Sequence, residues 1–156
     1  MHSLGGMQER LECKKFIEII LKWYSDNSAL LNRVWRSDRD AYRSVITEIL
    51  LIRTRREAVE KIYDDFFSKF RSPDDILEAS EEELERAVYG LGLRKRVLLL
   101  KKTAAYLKEH GIKSPEDVDE LPGAGEYIKS ILKLKLFGTG GVAVDRNAAR
   151  VLFRYF

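Results

Sequence analysis

The stretch VDELPGAGEYIKSIL, Val118 to Leu132, sets Pro122, Gly123 and Gly125 between a short acidic segment and a long apolar one that carries lysines. Glycine accepts positive φ and has no Cβ, and proline stiffens the approach, so the stretch predicts a sharp turn. The residues that follow, GEYIKSILKLKLFG, space their apolar side chains as a helix does. The turn therefore delivers the chain into a helix N-terminus, where backbone N–H groups without intrahelical partners point outward and make a site for a phosphate-sized anion. Val118, Leu121 and Ala124 are apolar pegs that would hold the corner down. The same sequence would also make an αα-corner that binds nothing.

On either side of the corner the periodicity is helical almost everywhere. Residues 8–25 place Leu11, Phe16, Ile17, Ile20, Leu21 and Tyr24 on one broad stripe, and a short helix is expected near Ser28 to Val34. A helix from about Asp40 to Arg53 is apolar nearly all round in its second half, which predicts burial in the middle of the fold. RREAVEKIYDDFFSKF continues as an amphipathic helix. SPDDIL and SEEELERAVYG open on serine with acids in the first turn, the second with a capping-box pattern from Ser80 to Glu83. Gly90 and Gly92 interrupt the pattern before RKRVLLLKKTAAYLKEHG; SPEDVDEL, the hairpin helix and DRNAARVLFRYF complete the series. No strand pattern of any weight occurs, and the connections are short. The expected fold is all-α, a multi-helix globular domain over residues 8–156, with residues 1–7 read as a tag or disordered tail.

At 156 residues, 45% apolar and 34% charged, the chain is long enough to bury a core. Cys13 is the only cysteine, which excludes an internal disulfide framework and a multi-cysteine metal site built from this chain, and fits a reducing interior. His110 and His2 have no partners for metal binding. No apolar run of about 18 residues is present to span a bilayer, and MHSLGGM lacks the apolar centre of a signal peptide. A cytoplasmic protein, with no membrane partner, is expected. The net charge of +3 is mild, but its distribution is polarised. Lys129, Lys133, Lys135, Arg146, Arg150 and Arg154 follow the corner with only Glu126 and Asp145 among them, whereas Asp74 to Glu85 is acidic. Arg94 to Arg96 with Lys101 and Lys102 form a second basic cluster. Amides plus cations are what a nucleic-acid backbone requires.

VDELPGAG matches the pattern of a helix-hairpin-helix motif, VAVDRNAARVLFRYF resembles a segment bearing a catalytic aspartate, and VWRSDRDAYRSVITEILLIRTRREAVEKIYDDFF resembles an upstream WR…Y…EILL..T…V…Y..F pattern. The three, in this order, resemble the helix-hairpin-helix base-excision DNA glycosylases of the endonuclease III and MutY superfamily. That resemblance implies a monofunctional DNA N-glycosylase that flips out and hydrolyses a mismatched or deaminated base, thymine or uracil opposite guanine. An adenine glycosylase acting on A/G pairs, or a non-catalytic helix-hairpin-helix DNA-binding module, stands as the alternative. The implied partner is double-stranded DNA carrying a mismatched or damaged base, and the implied setting the nucleoid.

The resemblance also implies roles. Gly123, Ala124 and Gly125 would receive a phosphate, with Lys129 and Arg146 nearby on the DNA. Asp145 would stabilise positive charge developing on the sugar and position water; a helix N-cap is the plainer reading of the same residue. Glu48, amid apolar neighbours, would contact the extruded base, its pKa raised by desolvation, or else lies at the edge of an amphipathic face. Tyr127 stands where bifunctional relatives carry a Schiff-base lysine, which a phenol cannot replace, so strand cleavage is not expected; it would equally serve as a packing aromatic. Arg53 stands where relatives place an intercalating glutamine, and with Ile52 it leans toward the archaeal-type thymine/uracil enzymes.

There are departures too. Lys129 and Ile128 replace a small residue and a threonine, and Glu126 adds an acid beside the phosphate site. Most relatives continue past the position of Phe156 into helices whose four cysteines hold a [4Fe–4S] cluster. That region is read as absent, the cluster as not expected in this chain, and the apolar stripe with Phe16, Ile20 and Trp23 as exposed and capable of self-association.

Overall fold

A computed structural model describes residues 3–28, 35, 38–92, 95–139 and 143–156. It divides into two compact units, Met1–Arg36 and Ser37–Phe156, where the sequence reads as one domain from residue 8. The described residues form nine helices and no strand, as expected.

The first unit holds α1 (Ser3–Asp26), which starts ahead of the Gln8 boundary that periodicity gives. Its apolar side chains Leu11, Ile17, Ile20, Leu21, Trp23 and Tyr24 are all exposed, Trp23 by 53%. Phe16 is half-buried. The helix expected near Ser28 to Val34 lies almost wholly outside the described residues.

In the second unit α2 (Ala41–Leu51) begins where the Asp40 side chain accepts the N–H of Arg43 at 2.7 Å. It buries Val45, Ile46, Ile49 and Leu50, each contributing about 1.5–3 kcal/mol on removal from water. The helix touches α3 (Arg56–Lys69), α6 (Arg96–Glu109) and α8 (Glu126–Phe137), so it is the central element its composition predicts. Its entry is tied down twice. Asp38 accepts the N–H of Asp40 and sits 2.8 Å from Arg43 Nε, and Arg39 donates to the carbonyl of Lys135 on α8. From α3, Tyr63, Phe66 and Phe67 pack edge-on into the same core.

Two short helices, α4 (Pro73–Glu78) and α5 (Glu81–Ala87), start on serine capping boxes, Ser72 with Asp75 and Ser80 with Glu83. Each peg, Ile76 and Leu84, is fully buried. After α6, the five-residue α7 (Pro115–Asp119) runs into the corner, then α8, and α9 (Arg146–Tyr155) ends the chain. Val151, Phe153, Tyr155 and Phe156 of this last segment are exposed.

Candidate active site

The corner is built as the glycines demand. Leu121 donates its N–H to Val118 O, and Ala124 donates to Leu121 O at 3.3 Å, closing a turn with Pro122 and Gly123 at its centre. Proline followed by a residue at positive φ fits a type II turn, and Gly123 has φ of 73°. A Cβ there would also meet Leu99 Cδ1 at 2.3 Å, so this glycine is required for conformation and for close packing on α6. Val118 and Leu121 are buried as pegs. Lys133 of α8 pairs with Asp119 of α7 at 2.7 Å and braces the two helices.

Gly125 has a different reason. It is the N-cap of α8 with φ of −74°, a conformation any residue adopts, and a Cβ on it would meet nothing within 4 Å. No side chain caps this helix end. The first-turn amides of a twelve-residue helix therefore face an open approach, the geometry of an anion site. Ala124 is half-buried between the glycines. Tyr127, in the first turn, is 39% exposed. Lys129 is half-buried with Nζ 3.7 Å from Glu126 Oε1, a loose pair that leaves the charge of Glu126 beside the approach partly offset.

Asp145 is an N-cap, as the plainer reading has it. Its Oδ1 accepts the N–H of Ala148 at 2.7 Å, and Asn147 Nδ2 lies 3.4 Å from Oδ2. The carboxylate is only half-buried and so keeps a face open. Arg146 beside it is exposed.

Glu48 is partly buried on α2, two residues from Ile46 and Leu50, which are wholly buried. Burial raises its pKa above the usual carboxylate value, and the charges of Lys135 and Arg56 oppose that rise. For Lys135, burial outweighs the attraction of Glu48 and lowers the ammonium. Desolvation thus moves both partners toward their neutral forms.

The basic surface is smaller than the sequence count. Lys133 is committed to Asp119, Lys135 interacts with Glu48, and Arg150 donates to Asn147 Oδ1 at 3.2 Å. The second cluster dissolves further. Lys101 donates to the carbonyls of Leu77 and Ala79 and caps α4, and Arg94 lies outside the described residues. Arg96 is completely buried. One of its terminal nitrogens donates to Ile49 O and Leu50 O at 2.6 and 2.7 Å, the other to Ile52 O, Leu91 O and Thr54 Oγ1 at 3.0, 3.1 and 2.7 Å. It binds protein, not DNA. A cation in the first turn of a helix opposes the dipole, and that was the available signal that Arg96 is employed elsewhere. Between the clamped residues, Arg53 is exposed at φ of 51°, the only non-glycine with positive φ among the described residues.

A glycine corner with an uncapped helix start, a desolvated carboxyl on the central helix and an aspartate-capped final helix define a helix-hairpin-helix DNA repair fold. The chain belongs to the HhH-GPD superfamily of base excision DNA repair proteins, whose model matches residues 46–156. It is 36% identical over 148 residues to a thymine/uracil-DNA glycosylase of Methanothermobacter thermautotrophicus, covering 92% of this chain and 66% of the relative. It is 33% identical over 147 residues to the thymine/uracil-DNA glycosylase of Pyrobaculum aerophilum, covering 91% of this chain and 64% of that one. The solved structure of a thermostable thymine-DNA glycosylase superposes with a TM-score of 0.82 at 33% identity, over 92% of this chain and 68% of the other. The chain thus spans about two thirds of the length of these three relatives. The superfamily's iron–sulfur cluster needs four thiolates, and the sequence supplies one, Cys13, exposed on α1. The residues present do not fit that group.

Proposed function

We propose that the chain is a monofunctional DNA N-glycosylase that removes thymine or uracil mispaired with guanine. The observation that carries this is the uncapped, sterically open N-terminus of α8 behind a turn that only glycine can make at residue 123. Three relatives named for thymine or uracil support the choice of base over adenine.

The phosphate 3′ or 5′ of an extruded nucleotide would rest on the amides of α8, with Arg146 adding charge. As the C1′–N bond breaks, its electron pair leaves with the base and positive charge grows on the sugar. Asp145, charged and open on one face, would stabilise that charge and take the proton of the water that adds to C1′. Glu48, whose pKa burial raises against the pull of Lys135 and Arg56, would in its protonated form give a proton to the departing base and recover one from solvent. Tyr127 offers no amine for a Schiff base, so release should leave an intact abasic strand. The working site is duplex DNA, hence the nucleoid.

Single-turnover release from G·T, G·U and 8-oxoguanine·A duplexes, developed with alkali, tests the assignment. Release from the first two with an uncleaved strand before alkali is expected; release of adenine alone, or of nothing, refutes it. Glu48 makes a pH prediction. The proton is present below its raised pKa and lost as pH rises through it, so the rate should fall on the alkaline side of that value. Glu48→Gln keeps a hydrogen-bond donor but cannot transfer a proton, and should lose about 10²-fold in rate together with that alkaline limb. An unchanged profile would place Glu48 outside the chemistry.

The exposed apolar side chains of α1 support self-association. Sedimentation velocity should show the sedimentation coefficient rising with concentration, and Ile20→Lys with Trp23→Ser should hold the chain monomeric; a monomer throughout would discard the idea.

A further inference from the structure

We propose that Arg96 is a positioning residue for nucleotide extrusion: its buried guanidinium fixes the loop on both sides of Arg53, the residue that the resemblance sets at the intercalating position, and so holds that side chain firm as a wedge. The proposal rests on the base-extruding reading above, since a glycosidic bond inside a stacked duplex is out of reach until its nucleotide is turned out.

A residue at φ near +50° costs about 1–2 kcal/mol unless it is glycine. A turn that needed only the backbone conformation would use glycine, as this chain does at residues 90, 92, 111, 123 and 138. At residue 53 it uses a long cation with its side chain in solvent. Strain of this kind survives where neighbouring contacts over-determine the backbone. Here they do. Residue 52 offers its carbonyl to Arg96, residue 54 offers its hydroxyl, and the last turn of α2 offers two more carbonyls. Thr54 also donates its backbone N–H to Leu51 O.

The grip extends to a second loop. Leu91, between Gly90 and Gly92, gives its carbonyl to the same guanidinium, and that oxygen lies 3.0 Å from Thr54 Oγ1. Loops separated by 37 residues are therefore locked as one unit around a side chain with no exposure at all. A fully buried arginine is costly, and the five oxygens that its terminal nitrogens reach include no carboxylate; that oxygen ring and the negative end of α2 compensate the charge, while Nε has no hydrogen-bond partner among the described residues. Such a unit can resist the push of a base stack, whereas a loop hanging on one hydrogen bond would yield.

The test uses 2-aminopurine placed next to the thymine of a G·T duplex, whose fluorescence rises when the stack opens. Wild-type chain should raise it. Arg53→Gly should lose the rise, about fivefold or more, with duplex affinity changed by less than about threefold, because glycine suits the backbone and only the wedge is gone. Thr54→Val removes the hydroxyl that joins the loops and should lose a comparable share, and the double variant should be no worse than Arg53→Gly alone. Arg96→Lys, which cannot satisfy five acceptors in a plane, should behave as Thr54→Val; should it fail to fold, Thr54→Val carries the test. Thymine placed in an unpaired bulge needs no wedge, so Thr54→Val should release it at the wild-type rate. Additive losses, an equal defect on the bulge, or no fluorescence rise with wild-type chain would overturn the proposal. A rise without base release would instead sink the glycosylase reading and leave the wedge standing.

Discussion

Asp145→Asn is expected to stop base release while leaving both the fold and duplex binding intact. The structure makes this substitution unusually clean. Asp145 caps α9 through one oxygen that accepts the N–H of Ala148 at 2.7 Å, and the amide oxygen of asparagine can do the same. Asparagine and aspartate are equivalent as N-caps, so α9 should keep its start. What disappears is the negative charge and the basicity. A carboxylate about 4 Å from a developing cation, at an effective dielectric of about 20, supplies about 4 kcal/mol. Loss of that attraction lowers the rate by about 10³-fold. Asp145→Ala separates the two roles, because it removes the cap as well and should cost a further ~1 kcal/mol of stability. Single-turnover release from a G·U duplex, thermal unfolding and a filter-binding titration together give the answer. An asparagine variant as fast as wild type would leave Asp145 a helix cap and nothing more.

How far each feature was legible follows from how local its cause is. Ser80 with Glu83 could be read because the capping box closes within three residues, and the structure returns it with both hydrogen bonds. The box at Ser72 escaped because its third position is Asp75, shorter than the usual glutamate, yet its carboxylate still reaches the N–H groups of Arg71 and Ser72. The burial of α2 was written in its composition, since Val45, Ile46, Ile49 and Leu50 leave little polar face. The charged residues were another matter. Arg96 has four acceptors 42 to 47 positions away, and Lys101 reaches back 22 and 24. A count of cations along the chain treats such residues as surface; apart from the misfit of Arg96 with the dipole of its own helix, tertiary structure is what shows that they are consumed. The same holds for Lys133, whose partner Asp119 lies across the corner. Gly123 and Gly125 could be located in the sequence but not told apart, because a positive φ and a close neighbour are facts of packing.

That difference between the two glycines separates folding from binding. Gly123→Ala should destabilise the chain by about 2 kcal/mol, the left-handed conformation accounting for about 1–2 and the contact with Leu99 for the remainder, since a leucine methyl can move aside. Gly125→Ala should shift the unfolding midpoint little, because its φ suits any residue, its Cβ would enter open space, and alanine's poorer fit as an N-cap is offset by the entropy it removes from the unfolded chain. That open space is where a phosphate would approach the amides of α8. Alanine there should weaken binding to every duplex alike, by about tenfold or 1.4 kcal/mol. Amides neutralise no counterion, so the slope of affinity against salt should stay nearly constant, while Arg146→Ala should lower it by about one. Urea titrations of the two variants, with binding measured at several salt concentrations, would check both halves. Should Gly125→Ala bind as tightly as wild type, the phosphate does not sit on this helix start, and the corner serves the fold alone.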